Sequence, residues 1–246
     1  MKVIVLGATR GIGRAVARQL AESGEQLFLL GRSKEELERS AADLEARNPD
    51  HTRVGWAECD LEDPSGFAEA LRQGSDALSG VDTVVVTAAR FGTQQHLEED
   101  VEEARRLLTV NFANTVVFCE HARKMLISAG GGTLCVLSSV AGDRGRKPVA
   151  LYGASKAGLS HYLESLDHKY RSAGLRTVCV KPGFVRTGMT AGLEPPPFAG
   201  EPEGVARDIV RAIRKGRPQL YTPAMWGLVM AVITRLPRFV MRKVDF

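Results

Sequence analysis

Short, nearly continuous apolar runs recur along the chain, and amphipathic stretches fill the intervals between them. "KVIVL" (2–6), "QLFLLG" (26–31), "RVGWAECD" (53–60), "VDTVVVTAA" (81–89), "GTLCVLSS" (132–139) and "RTVCVKPG" (176–183) read as strands. Residues 11–23 carry Ile12, Val16 and Leu20 at helical spacing, and a charged helix follows from an N-cap-like Ser33. Longer helical patterns cover 98–128 and 151–173. Strands that are apolar on both faces and alternate with helices predict a parallel sheet covered on both sides, hence an α/β, doubly wound, Rossmann-like fold. There is no repeat and no low-complexity tract, so residues 1–222 read as one domain and 223–246 as a C-terminal apolar and basic helical extension. The proline-rich "LEPPPFAGEP" (193–202) reads as a loop after a strand, on the side where such sheets bind ligands.

Composition narrows the class. With 246 residues, 44% hydrophobic and 25% charged, the chain can bury one large core. The net charge of +4 is interspersed, so no nucleic-acid partner is expected. Cys59, Cys119, Cys135 and Cys179 are far apart, and three lie in or beside apolar runs. Buried, reduced thiols in a cytoplasmic protein fit that pattern better than disulfides or a metal site. His96, His121, His161 and His168 show no ligand spacing. The first apolar run is too short for a signal peptide, and no run reaches the roughly 18 apolar residues of a spanning helix.

The first strand leads into "GATRGIG". Gly7, Gly11 and Gly13 permit a tight turn and let backbone approach a pyrophosphate, and the helix that follows offers unpaired N–H groups. Thr9 and Ile12 belong to the same candidate cradle. At the end of the second strand, where NAD binders place an acid for the ribose, stand Gly31 and then Arg32. Arg32, with Arg10 inside the turn, suits the 2′-phosphate of NADP. Both arginines could instead be solvated loop residues. Asp60, at the end of the third strand and followed by Leu61, reads either as a partner for the adenine amino group or as a turn residue.

A second group of residues suggests chemistry. Tyr152 and Lys156 are four apart on one helical face, and a nearby cation favours a phenolate. On spacing alone the pair could equally be a surface tyrosine with a solvated lysine. Ser139 ends a central strand, and Asn111 interrupts an otherwise amphipathic helix. "VKPGFVRT" breaks a strand at Pro182–Gly183, and its backbone near Val185 and Thr187 could reach the far end of a cofactor.

Taken together, "GATRGIG", Asn111, Ser139, "YGASK" and "PGFVRT" occur in the order and spacing of the short-chain dehydrogenase/reductase family, which the chain resembles over roughly residues 2–222. The resemblance implies a nicotinamide cofactor and four catalytic residues. Tyr152 would be the acid/base, and Lys156 would lower its pKa and hold the nicotinamide ribose. Ser139 would bond the substrate carbonyl, and Asn111 would anchor a relay water. One motif departs: the usual N-N-A-G is "VTAA" here, leaving Thr87 and Ala88 to meet the cofactor by their backbone. The expected activity is NADPH-dependent interconversion of a ketone and a secondary alcohol, carried out by a homodimer or homotetramer. A nucleotide-binding sensor without turnover is the alternative from another class.

"SSVAGDRGR", "VKPGFVRTGMTAGL" and "YTPAMWGLVMAVITRLPRFVMRKV" resemble a subgroup that includes the reductase subunit of the decaprenylphosphoryl-ribose epimerase. That resemblance implies a keto-sugar on a polyprenyl phosphate, with a small soluble ketone or a 3-oxoacyl group as the competing substrate. Arg144 or Arg186 would then meet the carrier phosphate. Residues 224–243 are too short to span a bilayer. They could pack over the cleft, join a neighbouring subunit, or lie at the inner membrane face.

Overall fold

The computed structural model describes residues 1–244. Seven strands form one parallel sheet: β1 (Lys2–Leu6), β2 (Gln26–Gly31), β3 (Gly55–Glu58), β4 (Thr83–Val86), β5 (Gly132–Leu137), β6 (Leu175–Pro182) and β7 (Gln219–Thr222). Their order is β3-β2-β1-β4-β5-β6-β7, so the chain winds outward in both directions from the β1/β4 junction. Crossover helices of fixed hand therefore fall on opposite faces of the two halves, leaving a crevice at that junction. The α/β, doubly wound expectation holds.

Alternate strand residues fill the two faces. Val3, Val5, Leu27 and Leu29 join one core, which is packed by α1 (Gly11–Glu22), α2 (Lys34–Arg47) and α8 (Pro202–Lys215). Ile4, Leu6, Phe28 and Leu30 join the other core, with α3 (Phe67–Leu78), α6 (Thr115–Ser128) and α7 (Ala150–Tyr170). A pleated strand sends successive side chains to opposite sides, so burial on both explains the unbroken apolar runs. All four cysteines are free and buried, and burial pushes the Cys59 thiol up to about 12.

The 98–128 helix predicted from periodicity is divided. It comprises α4 (Gln94–Glu99), which starts ahead of the predicted range, α5 (Val101–Leu108), a π-helical turn (Thr109–Asn114) and α6. Asp100 separates the first two by accepting the N–H groups of Glu102 and Glu103, which restarts the helix. The sequence reading placed no element at α3, α8 or β7. β7 is a four-residue edge strand whose pattern is only partly buried, so it leaves no apolar run.

The C-terminal extension forms α9 (Met225–Ile233) and α10 (Arg238–Met241). Trp226, Met230 and Ile233 are buried with Val140, against Phe184, Tyr221, Val229 and Met241. The extension thus packs on its own domain. No helix among the described residues is long and apolar enough to cross a membrane.

Candidate active site

The glycine turn is held by steric fit. Gly7 has φ +93°, and a Cβ there would stand 2.6 Å from Thr87 Oγ1; a Cβ at Gly13 would stand 2.1 Å from the Gly7 carbonyl oxygen. Thr87 donates its hydroxyl between the Leu6 and Gly7 carbonyls, at 3.0 and 3.1 Å. The "VTAA" departure therefore leaves the turn braced, with Thr87 serving as the bracket and Ala88 facing Gly7. Among the described residues, no side chain caps α1 at Arg10, and its first turn carries no acid. An open helix N-terminus behind a backbone cradle fits a dinucleotide pyrophosphate. Ile12 packs its side chain on the core, so it can contribute only its backbone. Thr187 closes the other side, its methyl 3.4 Å from where a Gly11 Cβ would lie.

The two arginines differ in the structure. Arg10 is exposed but ion-paired to Glu36, whose carboxyl it holds below the usual carboxylate range. Arg32 is exposed at the end of β2 and has no ion-pair partner among the described residues. The missing acid at Gly31 is thus only part of the picture, because the fold brings Glu36 to the same corner. Asp60 makes a turn contact: its Oδ1 accepts the Glu62 N–H at 3.0 Å. Leu61 is buried, and its carbonyl accepts Asn114 Nδ2 at 2.7 Å.

At the other end, β5 delivers Ser139 and α7 delivers Tyr152 and Lys156. Two close approaches set their register. A Cβ on Gly142 would meet the Lys156 and Ala157 backbone at 2.7 Å, and one on Gly153 would meet the Ala141 carbonyl oxygen at 2.7 Å. The turn after Ser139 therefore lies directly on α7. Ser138 Oγ donates to the Lys156 carbonyl at 2.9 Å, and Lys156 Nζ donates to the Leu137 carbonyl at 2.9 Å. The Ser139 side chain faces the Tyr152 phenol and favours its ionised form. It also accepts from Ala141 N at 3.1 Å, and Pro182 O lies 3.5 Å away.

The electrostatics correct one expectation. Tyr152 is not lowered by Lys156: burial pushes its phenol up to about 12, and the neighbouring Ser139 side chain only partly opposes this. The lysine is itself depressed to about 8 by burial. Its Nζ is 5.7 Å from the phenol ring centroid and is turned toward Leu137. Loss of water around the phenolate outweighs a cation held at that distance.

Asn111 lies in the π-helical turn, an irregularity often found at functional sites. Both ends of its amide clamp the backbone of Arg90: Oδ1 accepts Arg90 N–H at 2.7 Å, and Nδ2 donates to Arg90 O at 2.8 Å. The next residue, Phe91, packs edge-on against the Tyr152 ring, with centroids 5.3 Å apart. Asn111 thus reaches the tyrosine through Arg90 and Phe91. On the far wall, Val185 pairs with Gly200, and Thr190 Oγ1 donates to the Val185 carbonyl at 2.7 Å. A cavity of about 500 Å³ lies in this loop, lined by Phe184, Arg186, Thr187 and Leu193.

Several residues escaped the sequence reading. Lys181 Nζ bonds Asp143 Oδ1 at 2.6 Å, and Tyr221 donates its hydroxyl to Asp143 Oδ2 at 2.7 Å. A lysine inside the apolar strand "RTVCVKPG" was the available signal, since a buried charge requires a partner. Arg144 and Arg186, candidates for a carrier phosphate, are engaged elsewhere. Arg144 donates to the Leu236 carbonyl at 2.7 Å, and Arg186 pairs with Glu201 at 2.7 Å.

The chain is similar to several known proteins. A profile of the short chain dehydrogenases matches residues 1–197. An uncharacterized oxidoreductase of Mycobacterium tuberculosis is 31% identical over 98% of this chain and 96% of its own. Carbonyl reductase family member 4 of Xenopus tropicalis is 30% identical over 84% and 88%. An actinorhodin polyketide ketoreductase solved with NADPH superimposes with a TM-score of 0.79 at 22% identity, covering 90% of this chain and 95% of that one.

Proposed function

This chain belongs to the short-chain dehydrogenase/reductase family of oxidoreductases, and from that premise we propose that it reduces a ketone to a secondary alcohol with NADPH. The observation that carries the reading is the phenol of Tyr152, held protonated through neutral pH beside Ser139 at the end of a central strand. When bound, the nicotinamide supplies the hydride. Tyr152 holds the proton that a developing alkoxide needs, and Ser139 offers a second hydrogen bond to that oxygen. A phenol raised to about 12 rests in its protonated form at neutral pH, which is the form that reduction uses. Lys156 remains mostly charged at pH 7 and helps hold the ribose. Gly7, Thr9, Gly11, Ile12 and Gly13 would hold the pyrophosphate, with Ala88 beside them. Pro182, Gly183, Val185 and Thr187 would close the nicotinamide side. Arg32 is the better-placed cation for a 2′-phosphate, because Arg10 must first leave Glu36.

The substrate part of the proposal is a ketone on an amphiphilic carrier, such as a keto-sugar on a polyprenyl phosphate. It is supported by the subgroup resemblance and by the apolar residues of the cavity loop, where Met189, Leu193 and Phe198 are exposed. A panel of small ketones, keto-sugars and lipid-linked ketones, followed by NADPH oxidation with NADH as control, tests both parts. Turnover that is lost in Tyr152→Phe supports reduction. No turnover with any ketone, together with tight NADPH binding, would favour a sensor.

A further inference from the structure

The C-terminal extension is apolar on two faces, and the domain covers only one. Trp226, Met230 and Ile233 point inward, at positions separated by four and then three residues. Met225, Leu228 and Val232, on a second stripe of α9, are 45%, 67% and 63% exposed, and Phe239 on α10 is 65% exposed. Large apolar side chains rarely gather on a surface without a partner. Arg235, Arg238, Arg242 and Lys243 are exposed beside them, and no acid occurs between Ala224 and Val244. None of these four cations has an ion-pair partner among the described residues.

We infer that this outward face is a docking surface for an anionic lipid bilayer, on which the extension lies with its axis in the interface. Apolar side chains entering the acyl boundary, with cations at the headgroups, match such a surface in both respects. A second copy of the chain matches less well. A two-fold interface would set the same patch against itself and bring the four cations of each copy together with no acid between them. The inward face is tied to the loop that carries the cavity, because Trp226 Nε1 donates to the Phe198 carbonyl at 3.1 Å. The inference does not rest on the identity of the ketone.

Co-sedimentation of the full chain with vesicles, without ketone or cofactor, tests it. Binding is expected on phosphatidylcholine vesicles containing phosphatidylglycerol, much less on phosphatidylcholine alone, and weaker as salt shortens the screening length. Arg238→Gln with Arg242→Gln should lower partitioning by roughly fivefold per charge removed. Leu228→Asp with Val232→Asp should abolish binding and leave the melting temperature unchanged, since both side chains are exposed. Failure of the wild type to bind anionic vesicles overturns the inference, as does arginine-variant binding equal to wild type. If Leu228→Asp with Val232→Asp instead converts an oligomer to a monomer while vesicle binding is absent, the face belongs to a second copy.

Discussion

The indole of Trp226 lies against the backbone of Gly183, so closely that a Cβ on that glycine would stand 2.1 Å from the ring. Gly183 follows β6 at the mouth of the cofactor crevice, and Trp226 belongs to the C-terminal extension. The same cluster contains Val140, the residue after Ser139. The extension is thus seated on the two segments that flank the reacting end, and its position and the site geometry are mechanically joined.

Gly183→Ala should force the indole off this seat. Overpacking of this kind costs about 1–3 kcal/mol. Urea unfolding should show the loss, and limited proteolysis should cut the extension sooner than in wild type. An unchanged unfolding midpoint and cleavage rate would show that the indole moves aside freely.

Tyr152→Phe removes the proton but not the ring that packs on Phe91. kcat should fall by roughly 10²–10⁴-fold, as for loss of a general acid, while NADPH affinity stays within a few fold. Near-normal turnover would remove Tyr152 from the chemistry.

The depressed Lys156 should be visible as a slope in stability against pH. Between about 8 in the folded chain and the ordinary value of 10.5, the unfolded chain holds a proton that the folded chain has lost. Stability therefore rises with pH through that window, by at most about 1.4 kcal/mol per unit. The four buried thiols, raised from 9.0, already act in the opposite sense over pH 8–9, so the lysine is read there as the difference between wild type and a variant without it. Chemical denaturation across that interval should show a more positive slope for wild type than for Lys156→Met. Parallel slopes would mean that the lysine keeps an ordinary pKa.

Asp143 and Lys181 form a pair with side chains only 8% and 11% exposed. Asp143→Leu should cost about 3–5 kcal/mol, because it strands a buried ammonium and also frees the Tyr221 hydroxyl. Adding Lys181→Met should recover part of that loss. A double-mutant cycle read by denaturant melts measures the coupling, and strict additivity would deny the pair any shared energy.

Cofactor choice should follow the two arginines. Arg32→Asp should make the Kd for NADH lower than that for NADPH. Glu36→Gln should free Arg10 and tighten NADPH by up to about fivefold, the range of an exposed ion pair. Fluorescence titration of both nucleotides checks each variant, and a wild type that binds them equally would already contradict the assignment.

Sequence alone determined the fold class, because strands buried on both faces must be apolar throughout and the helices between them must alternate. It also held the motifs whose resemblance to the family implied the candidate set of Ser139, Tyr152, Lys156 and Asn111. It carried the α8 signal too, in the stripe of Val205, Ile209, Val210 and Ile213, although no element was read there. β7 left little trace, being short and at an edge. Only the tertiary structure decided the direction of the Tyr152 shift. Desolvation depends on segments distant in the chain closing around one phenol: Phe91, which packs on its ring, stands 61 residues before Tyr152. The fold likewise brought Glu36 to Arg10, Asp143 to Lys181 and Trp226 to Gly183. Such pairings are set by how helices and loops pack on the sheet, and nothing local to either partner encodes them.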